Sequence, residues 1–572
     1  MNILGLSLNG NNPAACLLRR GGVVAFAEEE RFVRIKGAKG LFPINAINYC
    51  LKSQKLTIQD IARIAVGWGN QKYRLQYPLF LTKTWVKYQH LSSPSSVSQV
   101  FNLLLEQQPG TVKNKINFAL RELGHTGAPP PTTFHHHHLT HAASTYYASG
   151  FNEAAIIVVD GSGEEISTSI YFGEGPIIKP IKKYTIPNSL GWYYSALVAY
   201  LGFKPYEQDG YLMGLASYGK PNKDIQQKFQ QIIQIDTHRY QVNPKFTLLG
   251  HHTQNEHFSD ELIALLGRPR NNKDTITQHH KDIAFATQFH LEEALIELTK
   301  RATNNGKIRN LCLAGGVALN CKANGVIYQS GLIDNLFVQP VSHDSGSALG
   351  AAMLSSLNQG CSPVFKMSHT YYGPSFSNTQ IKTILDLAKI KYSRPKSISK
   401  TAAQAIAKNK IIGWFQGKAE VGPRALGARS ILANPTNPKI KHTINQNVKF
   451  RDSWRPFCPS ITKETSQKYF DGGDESHFMI VSHQTKTNLK QSLPSIVHID
   501  NSFRPQIVTK TSNTKYHNLI KELGRITGYE VVLNTSFNVK GEPIVNTPQE
   551  ALRCYFSTGM DACAIGEFWL EK

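Results

Sequence analysis

The 572-residue chain carries 63 Lys and Arg against 40 Asp and Glu, a formal net charge of +23, with 41% hydrophobic residues. A chain this long exceeds what one hydrophobic core organises, so two or more domains are expected. No apolar run approaches the length that crosses a bilayer, and MNILGLSLNG lacks the basic start and cleavage site of a signal peptide and reads as a strand and turn; neither a membrane-spanning nor an exported protein is expected.

The charge suits nucleic acid, an anionic membrane or anionic small molecules, but the lysines are spread along the chain with no dense basic run. A lysine-rich surface serving solubility explains it as well as all the ligands together. Eight cysteines (Cys16, Cys50, Cys312, Cys321, Cys361, Cys458, Cys554 and Cys563) form no CxxC pair and sit mostly among apolar neighbours. Buried thiols in a reducing compartment follow, and a cytoplasmic location is expected.

In chain order, residues 2–30 read as strand ILGLSL, turn NGNNP, strand AACLLRR, a Gly-Gly turn and strand VVAFAEEE. Residues 155–173 repeat the plan as AIIVVD, GSGEE and ISTSIYFG, which suggests a duplicated α/β core. Residues 78–125 alternate apolar and basic residues at helical spacing and read as a helical insertion. APPPTTF then brings the chain, extended, to the histidines. From 284 to 357, helical text leads into strand NLCLAGGVALN, strand NLFVQP and the small-residue helix of VSHDSGSALGAAMLSSL. Alternating strands and helices predict a layered α/β fold. A seam near residue 365 divides a domain over 1–365 from a second α/β domain over 366–572.

Three stretches carry chemistry. HHHHLTHAASTYYASGFNEAAIIVVDGSGEE (135–165) places His137 and His141 four apart, on one face of a helix, ahead of Asp160 at a strand end. With Asp344 of SHDSGSALG, two imidazoles and two carboxylates suit zinc, iron or manganese. The competing reading is a polar loop after prolines. AGGVALN (314–320) offers Gly315 and Gly316 for a close backbone approach to a nucleotide and Asn320 for ribose or phosphate, or else a tight packing turn. In GWFQGKAEVGPRALGARSILANP and NVKFRDSWRPFCP, Arg424, Arg429, Lys449, Arg451 and Arg455 stand among glycines, prolines and aromatics. Arginine held by rigid neighbours clamps phosphate or carboxylate. Arg504, with Asn534 and Ser536 in a polar turn after a strand, adds donors, and nearby acids are too scarce to pair every cation.

HHLTHAAS, AIIVVDGSGE, SLGWYYSAL, YLMGLASYGKP, AGGVALNC, GWFQGKAEVGPRALGARSILA, VKFRDSWRPF and LNTSFN with GEPIV occur in the order seen in O-carbamoyltransferases of the nodulation and antibiotic-tailoring kind. The chain resembles that family end to end, most of all its aminoglycoside branch. The resemblance implies an N-terminal Kae1-like domain of the actin/sugar-kinase type and a C-terminal YrdC-like domain. It implies that carbamoyl phosphate and ATP, with Mg2+, form carbamoyl adenylate in the second domain. The first domain then passes the carbamoyl group to an alcohol. By the same resemblance, His137, His141, Asp160 and Asp344 hold Fe2+ or a similar divalent metal, and Asp160, Gly315, Gly316 and Asn320 line the nucleotide. Arg424, also catalytic, joins Lys449, Arg455, Arg504, Asn534 and Ser536 around carbamoyl phosphate and its adenylate.

The chain departs from the family's pattern at three places, all expected in the acceptor region of the first domain. Asn11 and Asn12 stand where His and Asp are usual, Asp209 and Tyr211 replace Glu and Lys before MGLA, and Gly37 replaces a histidine. A carboxamide takes up no proton at neutral pH, so Asn11 orients an acceptor while Asp209, Tyr211 or a phosphate oxygen receives its proton. A small cationic alcohol is the expected acceptor; a homodimer stays open. Two other classes compete: a tRNA-modifying enzyme of the same fold, marked by a basic patch and salt-sensitive binding, and a nucleotide-binding module that makes no adenylate. The transferase ranks first, and neither nucleic acid nor a membrane is an expected partner.

Overall fold

The structure is a computed structural model that describes residues 1–8, 11–69, 108–247, 257–473, 476–486 and 488–572. These form two compact units: Met1–Glu29 with Lys39–Lys366, and Glu30–Ala38 with Met367–Lys572. The part of the expected helical insertion at 78–107 lies outside the described residues; Pro109–Glu122 is a helix.

The first unit holds two five-stranded sheets. One comprises β1 (Asn2–Ser7), β2 (Ala14–Arg19), β3 (Gly22–Glu28), β4 (Arg63–Val66) and β5 (Thr132–Phe134), in the order β3-β2-β1-β4-β5. The other comprises β6 (Glu153–Gly163), β7 (Ile166–Glu174), β8 (Ile177–Thr185), β9 (Asn310–Ala314) and β10 (Asn335–Val338), in the order β10-β9-β6-β7-β8. In each, the first strand is antiparallel to the second and parallel to the fourth, so one topology occurs twice. The central strands β1 and β6 read as continuous apolar runs because both faces are covered.

Six helices matter for the site: α1 (His137–Ser149), α2 (Leu190–Tyr200), α3 (Asp209–Ala216), α4 (Gln278–Ala302), α5 (Cys321–Gln329) and α6 (Ser345–Asn358). α1 packs on β6 and β9, α6 packs on β1, β2 and β4, and the two helices pack on each other. Small residues permit that closeness: a Cβ at Gly350 would stand 1.8 Å from the Thr140 carbonyl oxygen. Gly350→Ala is therefore expected to destabilise the first unit by about 1–3 kcal/mol, because backbone has to move. Thermal unfolding measures this; an unchanged Tm would contradict the packing.

The second unit is built on one sheet of β11 (Ile412–Phe415), β12 (Arg429–Ala433), β13 (Cys458–Thr462), β14 (Gln506–Val508), β15 (Val531–Ser536), β16 (Ala562–Ile565) and β17 (Phe568–Glu571). The order is β14-β13-β15-β12-β11-β16-β17. Alternation sends Trp414, Leu432 and Val532 to one face, against α7 (Ile398–Ala407) and α8 (Thr514–Thr527). Phe415, Ile431 and Leu533 go to the other, with Phe537 and Tyr555. Both faces are thus core. Among the described residues, no helix is long and apolar enough to cross a membrane.

Candidate functional site

His137 opens α1 and His141 follows one turn later, and both rings are buried. Their Nε2 atoms lie 3.0 Å apart. Asp160, near the end of β6, directs Oδ2 to within 3.3 Å of His137 Nε2 and 3.5 Å of His141 Nε2. Its Oδ1 accepts from the Gly161 and Gly316 amides at 2.8 and 3.2 Å, which fixes the carboxylate's orientation. Asp344, immediately before α6, places Oδ1 3.7 Å from His137 Nε2. One donor atom from each of the four lies within 4.8 Å of the others. The polar-loop reading of the histidines does not survive: they lie on a buried helix.

Two imidazoles and two carboxylates are the donor set of a divalent transition metal, and the group fits one. Its electrostatics agree. Burial opposes charge on His137, but its hydrogen bond to Asp160 and the charges of Asp344, Asp160 and Glu164 outweigh it and push its pKa up to about 9. Burial, then the positive charge of His137, lowers His141 to about 4. Burial and the charge of Asp160 raise Asp344 to about 7. A metal must displace the His137 proton at any pH below about 9, and the Asp344 proton as well below about 7. Metal affinity is therefore expected to rise by about a decade per pH unit towards pH 9 and more steeply below pH 7. Calorimetric titrations in buffers of different ionisation enthalpy would show the released protons; pH-independent affinity would contradict this.

Gly315 takes φ +91 where a Cβ would meet the Val159 carbonyl oxygen at 2.2 Å, so this turn admits only glycine. Asn320, 8% exposed, caps α5 through the Ala323 amide (3.0 Å) and exchanges amide hydrogen bonds with Gln288 at 2.9 and 3.1 Å. Gln288 also accepts from the Tyr194 hydroxyl at 2.9 Å. Asn12 takes φ +54, and its carbonyl accepts from Ser345 Oγ at 2.7 Å, which holds the Asn11–Asn12 turn against the start of α6. Asp209 opens α3; its charge and that of Glu292 add to burial in raising the Tyr194 hydroxyl. Tyr206 stands in the field of Asp209, Asp160 and Asp344 together. Tyr211 is buried and tilts against Phe203.

In the second unit, Lys449 is 3% exposed and its Nζ donates to Ser536 O (2.8 Å), Ser536 Oγ (3.2 Å), Asn538 O (2.7 Å) and Asn538 Oδ1 (2.6 Å). Burial first, then the repulsion of Arg451, Arg455 and Lys36, lowers its pKa far below the usual range. Arg424 lies half-buried in the loop before β12, where Glu420 Oε1 accepts from the Leu426, Ala428 and Arg429 amides at 2.7–3.0 Å. Arg504 donates Nε and Nη2 to Cys458 Sγ at 3.2 and 3.0 Å. The Arg455 carbonyl accepts from Asn445 Nδ2 at 3.2 Å. Asn534 is within β15, not in a turn after it, and donates to Ala425 O and Ser460 Oγ at 3.1 Å.

Two cations singled out as anion clamps have structural work instead. Arg429 is fully buried, lies 3.7 Å over the Phe415 ring and donates to four carbonyls, those of Gln416, Ala428, Pro374 and Gly417. Arg451 donates to Asn445 Oδ1 at 2.7 Å and covers the Phe457 ring. Gly37 is also relocated: Glu30–Ala38 belongs to the second unit, not to the first. There Arg31 donates to Gly422 O (2.6 Å), and Arg34 to Ile544 O and Pro543 O (2.7 and 2.8 Å).

Residues 2–353 match the family described as Carbamoyltransferase N-terminus, and residues 403–572 match Carbamoyltransferase C-terminus. The chain belongs to the carbamoyltransferase family. An uncharacterised protein of Synechocystis sp. is 34% identical, covering 100% of this chain and 97% of its own. Nodulation protein NolNO of Sinorhizobium fredii is 32% identical over 98% of this chain and 78% of its own, and nodulation protein NolO of Bradyrhizobium diazoefficiens is 33% identical over 74% and 76%.

In this carbamoyltransferase the N-terminal match contains the His/Asp group and the C-terminal match contains Lys449 and its neighbours. Sequence reasoning missed Glu164, Gln288 and Glu420. The signal for Glu164 was present in DGSGEE, but a glutamate in a glycine turn reads as solvent-facing. Its 2% exposure comes from packing that spacing does not report.

Proposed function

We propose that the protein is an ATP-dependent O-carbamoyltransferase with two sites, whose N-terminal unit is Kae1-like and whose C-terminal unit is YrdC-like. The observation that carries the reading is the buried Lys449 bound to Ser536 with the cations Arg451, Arg455 and Lys36 close enough to repel it, a grouping suited to carbamoyl phosphate and ATP. Water cleaves carbamoyl phosphate: its oxygen ends on one product as the carbamoyl–phosphate linkage breaks, giving phosphate and carbamate. A carbamate oxygen attacks the α-phosphorus of ATP, and the bond to pyrophosphate breaks, giving carbamoyl adenylate. Arg424, Arg455 and Arg504 stabilise the charge that gathers on the phosphoryl oxygens, and Asn534 and Ser536 orient the carbamoyl group.

At the N-terminal site an alcohol oxygen then bonds to the carbamoyl carbon, AMP departs, and the alcohol proton passes to Asp209 or to a phosphate oxygen. His137, His141, Asp160 and Asp344 would hold a divalent metal, which would supply neutralisation of the departing phosphate's charge. Gly315 and Gly316 admit the nucleotide closely. Asn11 orients the acceptor and has no basic form, and Tyr211 lines the same region. The carboxylates Asp209 and Glu292, with the Tyr194 and Tyr206 rings, suit a small cationic alcohol.

The acceptor half is tested with pre-formed carbamoyl adenylate. Asp209→Asn should slow transfer by about two decades, whereas Asn11→Ala should weaken acceptor binding by about tenfold or less. Collapse in Asn11→Ala with Asp209→Asn unharmed would overturn these roles.

A further inference from the structure

Glu164 stands in the turn between β6 and β7 with φ +54, a left-handed conformation uncommon for a non-glycine residue. Its carboxylate is nearly inaccessible and joins three segments. Oε1 accepts from the Gly69 amide at 2.8 Å, and Oε2 accepts from the His137 amide, at the first position of α1, at 3.2 Å. His136 Nε2 lies 3.2 Å from the same Oε2. Two residues before Gly69, the Gly67 carbonyl oxygen lies 3.1 Å from His137 Nδ1. The Trp68 ring, between them in sequence, meets the His137 ring edge-on at 4.6 Å. On the other side the turn presses on the same ring: a Cβ at Gly163 would stand 2.3 Å from His137 Cδ2.

We propose that Glu164 is a positioning residue for the metal centre. It ties the Gly67–Gly69 loop to the first turn of α1, so that the Gly67 carbonyl receives the Nδ1 hydrogen of His137 and its Nε2 lone pair faces His141, Asp160 and Asp344. A ligand imidazole is oriented by what its other nitrogen donates to, and here that acceptor is itself held in place by a buried carboxylate. The inference rests on reading the four residues as a metal site. The alternative is that Glu164 only caps the N-terminus of α1; a cap changes stability and leaves the metal's geometry alone.

The test is a Co2+ titration of the full chain after chelation, followed by visible absorption, with thermal unfolding in parallel. Wild-type protein that binds no Co2+ would remove the metal site itself, a failure distinct from that of the present inference. Given wild-type binding, Glu164→Ala should lower Co2+ affinity by about ten- to a hundredfold and alter the ligand-field bands. Glu164→Gln keeps one accepting oxygen and should fall between. Thr547→Ala removes a helix cap in the second unit, where Thr547 Oγ1 accepts from the Glu550 amide at 3.3 Å. It should lower Tm without changing Co2+ affinity. Wild-type affinity and spectrum in Glu164→Ala, or in Glu164→Gln should Glu164→Ala not fold, would overturn the proposal.

Discussion

His137→Ala and Asp344→Ala each remove the metal from the purified chain and abolish transfer to the alcohol; this is the largest effect expected. Both belong to a group of four whose donor atoms lie within 4.8 Å of one another, and a small site does not spare one of them. Losing His137 also leaves Asp160 and Asp344 without the imidazole nitrogen that both approach, at 3.3 and 3.7 Å. A drop of about a hundredfold or more in metal affinity follows, since even outer partners of a ligand are worth about ten- to a hundredfold. Elemental analysis of the folded variants, beside transfer from pre-formed carbamoyl adenylate, checks both parts. Unchanged metal content in either variant would contradict the assignment.

Arg455→Ala should remove carbamoyl phosphate-dependent pyrophosphate release and leave the metal in place. Arg455 is among the cations whose repulsion lowers the Lys449 pKa, and under the proposed function it meets the phosphate. A lost charge-assisted contact costs about two decades in rate or more. Metal should be retained because His137, His141, Asp160 and Asp344 belong to the other unit. Near wild-type pyrophosphate release would move activation elsewhere; loss of metal would show that the two sites are not independent.

What the sequence reveals is what local geometry controls. HxxxH reports a shared helix face because four residues make about one turn, and both rings do face one way. Asp160 follows an apolar strand, and Gly315 follows another, in text where strand ends are visible. Long-range partners leave no such mark. Arg424 and Arg429 stand in similar glycine-rich text, yet Arg429 is fully buried and committed to four carbonyls, two of them on the Pro374 and Gly417 segments. Gly37 lies between strands of the first unit in sequence, yet its segment packs with the second through Arg31 and Arg34. Asn320 illustrates the middle case: its place after a Gly-Gly turn was readable, but its amide partner Gln288 comes from a distant helix.

Under the proposed function this chain activates carbamate as an adenylate. The direct measurement is incubation of the full-length protein with ATP, Mg2+ and carbamoyl phosphate, without acceptor, followed by quantitation of pyrophosphate, phosphate and ADP, and by mass spectrometry of the nucleotide pool. Pyrophosphate and phosphate formed in equal amounts, only when carbamoyl phosphate is present and together with carbamoyl adenylate, is the expected result. ADP in place of pyrophosphate, or pyrophosphate release indifferent to carbamoyl phosphate, would contradict it.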